Sequence, residues 1–408
     1  MSAGMFLTNN LTPDLARKSF AAMITRLMPN GAAPLFGMTS MLKDDIALQF
    51  EHGFFTKTML FPQLTVTGAG QLLTDTVLTV TNTNNVLPGM IMRVDTTNEN
   101  LIINAVLSGT SVSVTRAVGN VSAQAIVANG NLWMVGNAYE EASLRPNSLI
   151  INPVRITNYT QIFRNTWALS DTVRATQMIA GDTNVAESKQ DCAAFHAADI
   201  EKALFFGQKF NGFRNGQPFH MMDGLVSIVG QVSYYPSIYA GVPNVFAAGA
   251  TTNYTQLEGF LDPCFNQATD PKVANERVLF VGGAAKKVIN NIGRLNGTYY
   301  LIDGQTSWGL QFATVKTARG MFRLIEHPLF NTNPTWAKFA IAVDLSSFSL
   351  AYLGDRKTQE KLFNEDSNGA VDNGIDAVGG TLTTELTTVI RNPPANSIVT
   401  NLTLAAVG

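Results

Sequence analysis

Four histidines, two cysteines and a few paired carboxylates are what a reaction centre in this 408-residue chain would have to be built from. His52, His196, His220 and His327 lie in unrelated segments. There is no His-Glu-x-x-His and no histidine pair at i, i+4, so no metal-binding helix face is encoded. Cys192 and Cys264 are too few for a disulfide framework or a cysteine-based zinc site. Both fall in helical patterns and read as buried free thiols, which suits a reducing compartment. Asp44-Asp45 and Glu140-Glu141 would act as general acid and base only if folding gathered them into a cleft; solvated carboxylates or inter-subunit salt bridges are the commoner use. Val281-Gly282-Gly283-Ala284, followed by Lys286, sits where a strand gives way to a helix, a place where phosphate can bind. It lacks the Gly-x-x-x-x-Gly-Lys-Ser/Thr spacing and reads as a tight turn. Asp366-Ser367-Asn368-Gly369 begins like a calcium loop, but Ala370 holds the fifth position and no glutamate the twelfth. Gly68-Ala69-Gly70 is a hairpin-like glycine pair, not a dinucleotide fingerprint, and no Gly-x-Ser-x-Gly elbow occurs. The chemistry-bearing residues encode no catalytic, cofactor or metal site, and the expectation is a protein that is not an enzyme.

The element that would position everything else is the stretch Ser188 to Phe206. It is free of Pro and Gly, rich in helix formers, and stopped by Gly207. Cys192, Phe195, Ala198 or Asp199, Ala203 and Phe206 recur at helical spacing and predict one apolar stripe on a helix roughly 28 Å long.

Charged residues make up 14% of the chain, well below the usual ~25%. That depletion is expected where much surface is buried between subunits. A net charge of −2 without basic clusters argues against a dedicated nucleic-acid binder. No basic start followed by an apolar core marks a signal peptide, and no apolar run approaches the ~18 residues of a membrane span.

Residues 1–55 read as an arm. A helix is predicted from Thr12-Pro13-Asp14 through Leu27, followed by a segment with little to bury against itself. From Gln63 to Gly136, short Val/Thr/Ile/Leu runs alternate with turn signals such as Pro88-Gly89 and Asn129-Gly130. This predicts a small β-barrel or sandwich inserted at 63–136. Residues 149–170 read as a long extended strand which, with 56–62, makes two legs carrying that insert. After the helix, 210–230 reads as a loop and a short strand. Helices are then expected over 253–268 and 284–295, and strands over 277–281, 309–329, 338–344 and 347–353. The tail is expected to be a long strand, a turn at Pro393-Pro394 and a final strand.

In this order the pieces resemble the major capsid proteins of tailed phages with the Hong Kong 97-like fold, an α+β architecture. More specifically, NYTQIFRNTWALSDT (158–172) followed by SKQDCAAFHAADIEKALFFGQ (188–208) resembles one branch of these. In that branch an Asn-Tyr-Thr-Gln-Ile-Phe segment precedes a helix ending in Ile-Glu-x-Ala and an aromatic-Gly pair. The resemblance implies an N-terminal arm at 1–55 and an extended loop at 56–170 bearing the β insert. It implies a peripheral domain at 171–230 and 351–408 with its spine helix at 188–207, and an axial domain at 231–350. The implied function is self-assembly, as hexamers and pentamers, into an icosahedral shell around double-stranded DNA held without sequence specificity. A portal protein would be a partner. So would a separate scaffolding protein, unless the chain is already processed, and decoration proteins are a further possible set. The implied location is the virion shell, assembled in the bacterial host cytoplasm.

Under that reading, contacts between subunits are expected at Phe50, Phe54 and Phe55 on the arm, and at Tyr159, Phe163, Arg164 and Trp167 on the loop leg, since aromatics and arginine anchor interfaces. The alternative is packing within their own subunit. The β insert is expected to brace a neighbour. A rival from another class is a β-rich carbohydrate-binding, adhesin-like protein with Trp133 and Tyr139 as a sugar platform; it leaves the central helix unexplained.

Overall fold

The computed structural model describes residues 33–57, 62–150, 152–176, 184–234, 243–249, 252–266, 276–296, 302–307, 310–362 and 377–403. The expected helix after Thr12 and the calcium-like loop at Asp366 lie outside them. The chain forms two compact units: Phe55–Ile156 with Pro236–Ala240 in one, and the remainder in the other.

The smaller unit carries β3 (Gln63–Thr65), β4 (Val77–Thr79), β5 (Met90–Val94), β6 (Asn100–Ser108), β7 (Ser111–Thr115) and β8 (Asn131–Asn137), paired in the order β3-β8-β5-β6-β7-β4. The two ends of that order meet at the bridge Val66↔Val80. There the Thr67 N–H donates to the Thr79 carbonyl and the Thr81 N–H to the Thr65 carbonyl, each at 2.9 Å. The sheet therefore closes, and the expected barrel-or-sandwich resolves as a barrel. The period-2 alternation that predicted strands fills it: Leu64 and Val66, Leu78 and Val80, Met92 and Val94, Leu101 and Ile103, Val112 and Val114 all point inward.

The larger unit begins with helix α1 (Pro34–Ser40), then β1 (Asp45–Ala47) and β2 (Glu51–Thr56). After the barrel come β9 (Val154–Tyr159), β10 (Gln161–Ser170), the short helix α2 (Asp171–Ala175) and the long helix α3 (Asn184–Phe206). Next are β11 (Phe210–Arg214), β12 (Gln217–Met221), α4 (Leu225–Val229), β13 (Val245–Ala247), α5 (Tyr254–Leu261), β14 (Glu276–Val281) and α6 (Gly283–Asn296). Strands β15 (Ile302–Ser307), β16 (Leu310–Lys316), β17 (Met321–Glu326), β18 (Ala340–Val343), β19 (Phe348–Leu353) and β20 (Gln359–Leu362) follow. The tail is β21 (Ala377–Ile390), a turn at Pro393–Ala395 and β22 (Ser397–Thr400), as its pattern predicts.

Two sheets organise this unit. One runs β1-β19-β21-β10, with β20 also on β21; the other runs β13-β22-β18-β14-β17-β16-β15. Strand β14 shows why its sequence is a continuous apolar run: Val278 and Phe280 face one core, with α3, and Leu279 and Val281 face the other, with α5 and α6.

Three expectations need correction. Helix α3 starts at Asn184, and its buried residues are Cys192, His196, Ala198, Ile200, Glu201, Leu204 and Phe205, with Ala203 and Phe206 partly buried, while Phe195 is 59% exposed. The expected stripe holds at Cys192, Ala198, Ala203 and Phe206 and fails at Phe195; a histidine and a glutamate share the inner face and find partners there. Residues 210–221 form a hairpin, not a loop, turning at Asn215-Gly216 with both φ angles positive, 52° and 75°. LVSIV, expected as a strand, is helix α4, started after Gly224.

Helix α3 ends where two backbones cross. A Cβ on Gly224 would sit 2.6 Å from the Gly207 nitrogen and 2.7 Å from the Ala203 carbonyl oxygen. Gly224→Ala should therefore destabilise the subunit by about 1–3 kcal/mol. Gly259→Ala, with open space around its Cβ on α5, should be neutral or slightly stabilising. Urea midpoints of the two variants check this.

Candidate functional site

The segment Asn158–Phe163 joins three parts of the larger unit through polar side chains. The Asn158 side-chain amide donates to the Asp223 carbonyl at 3.0 Å and to Thr388 Oγ1 at 2.7 Å, and its oxygen accepts the Asp223 N–H at 2.7 Å. Thr160 donates its hydroxyl to Glu385 at 2.9 Å, and Gln161 accepts the Met222 N–H at 3.1 Å. These residues are polar yet inward because each finds a partner on a neighbouring segment: Asn158 and Gln161 on backbone groups, Thr160 on the Glu385 carboxylate. They tie β9 and β10 to the end of the β11–β12 hairpin and to β21.

Beside this knot, Phe50 and His220 stack at 4.6 Å between ring centres, with Tyr159 5.9 Å from Phe50 and 6.0 Å from His220. Lys209 lies 4.6 Å over the Tyr159 ring and donates to Thr157 Oγ1 at 2.8 Å. The Thr160 N–H donates to the Phe50 carbonyl at 2.8 Å. Phe50 and Tyr159, separated by over a hundred residues, thus meet in one aromatic cluster. His220 and Lys209 belong to it and were not expected as contact residues; the Asn215-Gly216 hairpin signal between them could have found them.

The other expected contact residues divide. Phe55 is 69% exposed and Arg164 is exposed, while Phe54 is half-buried against the Ala47, Ala351 and Val389 cluster. Phe163 and Trp167 are turned into their own chain, 6% and 3% exposed. Trp167 donates its indole N–H to Glu360 at 2.9 Å, with Lys189 4.9 Å above the ring. Alternation along β10 points both aromatics to its inner face, and Arg164 to the other.

A second knot holds α1 to α3. Glu201, fully buried, accepts the Leu35 N–H at 2.9 Å, the Phe36 N–H at 2.7 Å and His327 Nε2 at 2.7 Å. His327 Nδ1 accepts the Leu329 N–H, so its proton sits on Nε2 and points at the carboxylate. Phe205 and Phe330 pack against the imidazole. His196 on the same helix bonds Asn165 and Thr384, both at 2.7 Å, and its burial lowers its pKa despite the nearby Asp199.

Several of the remaining chemistry-bearing residues have structural partners. The Gly283 N–H donates to Asn331 at 2.6 Å and Lys286 pairs with Glu326 at 2.9 Å, so the strand-to-helix turn is satisfied from within. Asp44 pairs with Lys357 and Asp45 with Arg391. Both cysteines are buried, and burial pushes the Cys264 thiol up to about 12, far from thiolate chemistry. Tyr139 hydroxyl donates to the Pro88 carbonyl and its ring covers Gly89, so it is not a free sugar platform. Among the described residues no group of three or more His, Cys, Asp or Glu could hold a metal, and no helix is long and apolar enough to cross a membrane.

Solved structures from Mycobacterium phage Bobi and Mycobacterium phage Cain align with 97% and 99% of this chain and with 99% and 100% of their own. Identity is 10% and 11%, and the TM-scores are 0.49 and 0.48. In sequence, the major capsid protein of Pseudomonas phage PaMx41 is 38% identical over 408 residues, covering 98% of this chain and 96% of that one. The family model for the SU10 major capsid protein matches residues 3–403. With nearly its whole length matched in both comparisons, the chain belongs to the SU10 major capsid protein family of phages.

Proposed function

We propose that this major capsid protein assembles as hexamers and pentamers into the icosahedral head shell enclosing the double-stranded DNA of a tailed phage, a structural role without a reaction. The observation that carries the reading is the leg between the barrel and β9. Residues 138–150, 152 and 153 are exposed throughout and without regular structure, and carry Leu144 at 92% and Ile150 at 70%; Val154, at the start of β9, is 50% exposed. Apolar side chains held out in sequence stretches of this length call for another surface. A neighbouring subunit supplies it when the two legs lap over it, with the barrel bracing the same neighbour. Phe50, Phe55, Tyr159 and Arg164 remain the candidate contacts. On this reading 1–55 is the arm, 171–230 and 351–408 the peripheral domain, and 231–350 the axial domain. Near-zero net charge suits a container that holds DNA without gripping it. A portal at one vertex, a separate scaffolding protein and decoration proteins complete the set of partners, with assembly in the host cytoplasm.

The test is electron microscopy and light scattering of the purified protein, alone and with its phage's scaffolding protein. Closed shells or rings of five and six subunits are expected. Monomers persisting with scaffold supplied would overturn the assembly reading. Removing residues 1–32, which spares the Leu35 and Phe36 contacts to Glu201, should lower shell yield; an unchanged yield would remove the arm from the mechanism.

A further inference from the structure

The β11–β12 hairpin pairs with no other strand among the described residues. An isolated two-stranded ribbon is marginal in water, yet this one holds Phe213 78% exposed and Phe210 49% exposed. Residues 208–221 include Lys209, Arg214 and His220 and not one aspartate or glutamate. Arg214, exposed, lies 5.8 Å over the Phe219 ring, so cation and aromatics share one surface. Helix α3 presents the opposite character. Glu187, Asp191, Phe195 and Asp199 recur at every fourth residue and so share a face. Phe195 is 59% exposed between the acids; Asp199 also holds Asn165 at 3.1 Å and Lys202 at 3.7 Å.

We propose that the hairpin of one subunit docks on the α3 face of a second copy, Phe213 against Phe195 and Arg214 against Asp191. The proposal rests on the assembly reading above. Charge complementarity selects the occupant: a basic aromatic ribbon meets an acidic face centred on one exposed aromatic, and a second copy carries both. The two surfaces differ, so the contact is heterologous and propagates head to tail, as a ring requires. A nucleic-acid partner fits less well, because one outward guanidinium is a small electrostatic footprint and exposed phenylalanines gain most from a dry contact.

The experiment compares wild type, Arg214→Glu, Asp191→Arg and the double charge swap, reading assembly by sedimentation and electron microscopy and subunit folding by circular dichroism. Either single change should lower assembly about tenfold while the fold is retained. The double swap should restore it. Assembly of both single variants at wild-type yield, or no rescue in the double, would overturn the docking and leave the assembly reading standing. Loss of retained DNA in Arg214→Glu at unchanged shell yield would also overturn it, assigning the hairpin to DNA. Failure of wild type to assemble even with scaffold would overturn both.

Discussion

Glu201→Ala is expected to lower the stability of the subunit by about 3–5 kcal/mol, the cost of leaving buried partners of a charge unpaired. The carboxylate is fully buried and serves the Leu35 and Phe36 N–H groups and His327 together. Without it, two backbone donors at the start of α1 and the protonated imidazole nitrogen face an apolar pocket lined by Phe205 and Phe330. Glu201→Gln should also be destabilising, though less. Its amide brings one oxygen where two are used, and turns its nitrogen toward another donor. The imidazole cannot correct this by moving its proton to Nδ1, which accepts from Leu329. Urea unfolding of the unassembled subunit gives the magnitudes, and hydrogen exchange should show residues 34–40 losing protection first in the alanine variant. Equal stability of wild type and Glu201→Ala would refute the account.

Arg116→Ala should be of similar size, about 3–5 kcal/mol, but confined to the barrel. The Glu99 side chain is fully buried and takes a two-pronged contact from Arg116 at 2.8 and 2.7 Å, with N–H donors from Ala117 at 3.0 Å and Gln124 at 3.1 Å. Burial alone would raise the Glu99 pKa, but the guanidinium and the two N–H groups outweigh it and hold the carboxyl below its usual range. A carboxyl lowered on folding adds stability above its unfolded value, near pH 4.3, and that contribution is lost as pH falls through the lower folded value. Wild type should therefore weaken below about pH 4.3. Without Arg116 the burial cost dominates and the sign inverts: the variant's deficit should be largest at neutral pH and shrink on acidification. Hydrogen exchange over residues 63–137 at two pH values separates these outcomes.

The barrel was legible because its strands obey a strict period of two, and inward positions such as Leu64, Val66, Val112 and Val114 are all apolar. Helix α3 was legible in existence and in most of its stripe, but not in the outward Phe195 or the inward His196 and Glu201. An apolar-stripe rule assigns His196 and Glu201 outward, and only tertiary partners distant in sequence, such as Thr384 and His327, make them inner residues. The hairpin was missed because its strands do not alternate in hydrophobicity; its evidence was the Asn215-Gly216 turn alone. Among the contact candidates, Phe163 and Trp167 carried the right chemistry for an interface, but their shared inward parity on β10 favoured the core. The motif Asn158–Phe163 was visible as a family signature, and its reason is visible only in the fold: its polar side chains bond segments some sixty and more than two hundred residues away.

The bridge between Val66 and Val80 has a consequence for a coat protein whose copies crowd together. A capsid shell brings many copies together. An open six-stranded sheet would offer each of them two rows of unused N–H and C=O groups, a template for indiscriminate strand-to-strand polymerisation. Closure removes that template from every copy at once. The barrel can therefore be displayed where copies are crowded, while association is left to surfaces that recognise one particular neighbour.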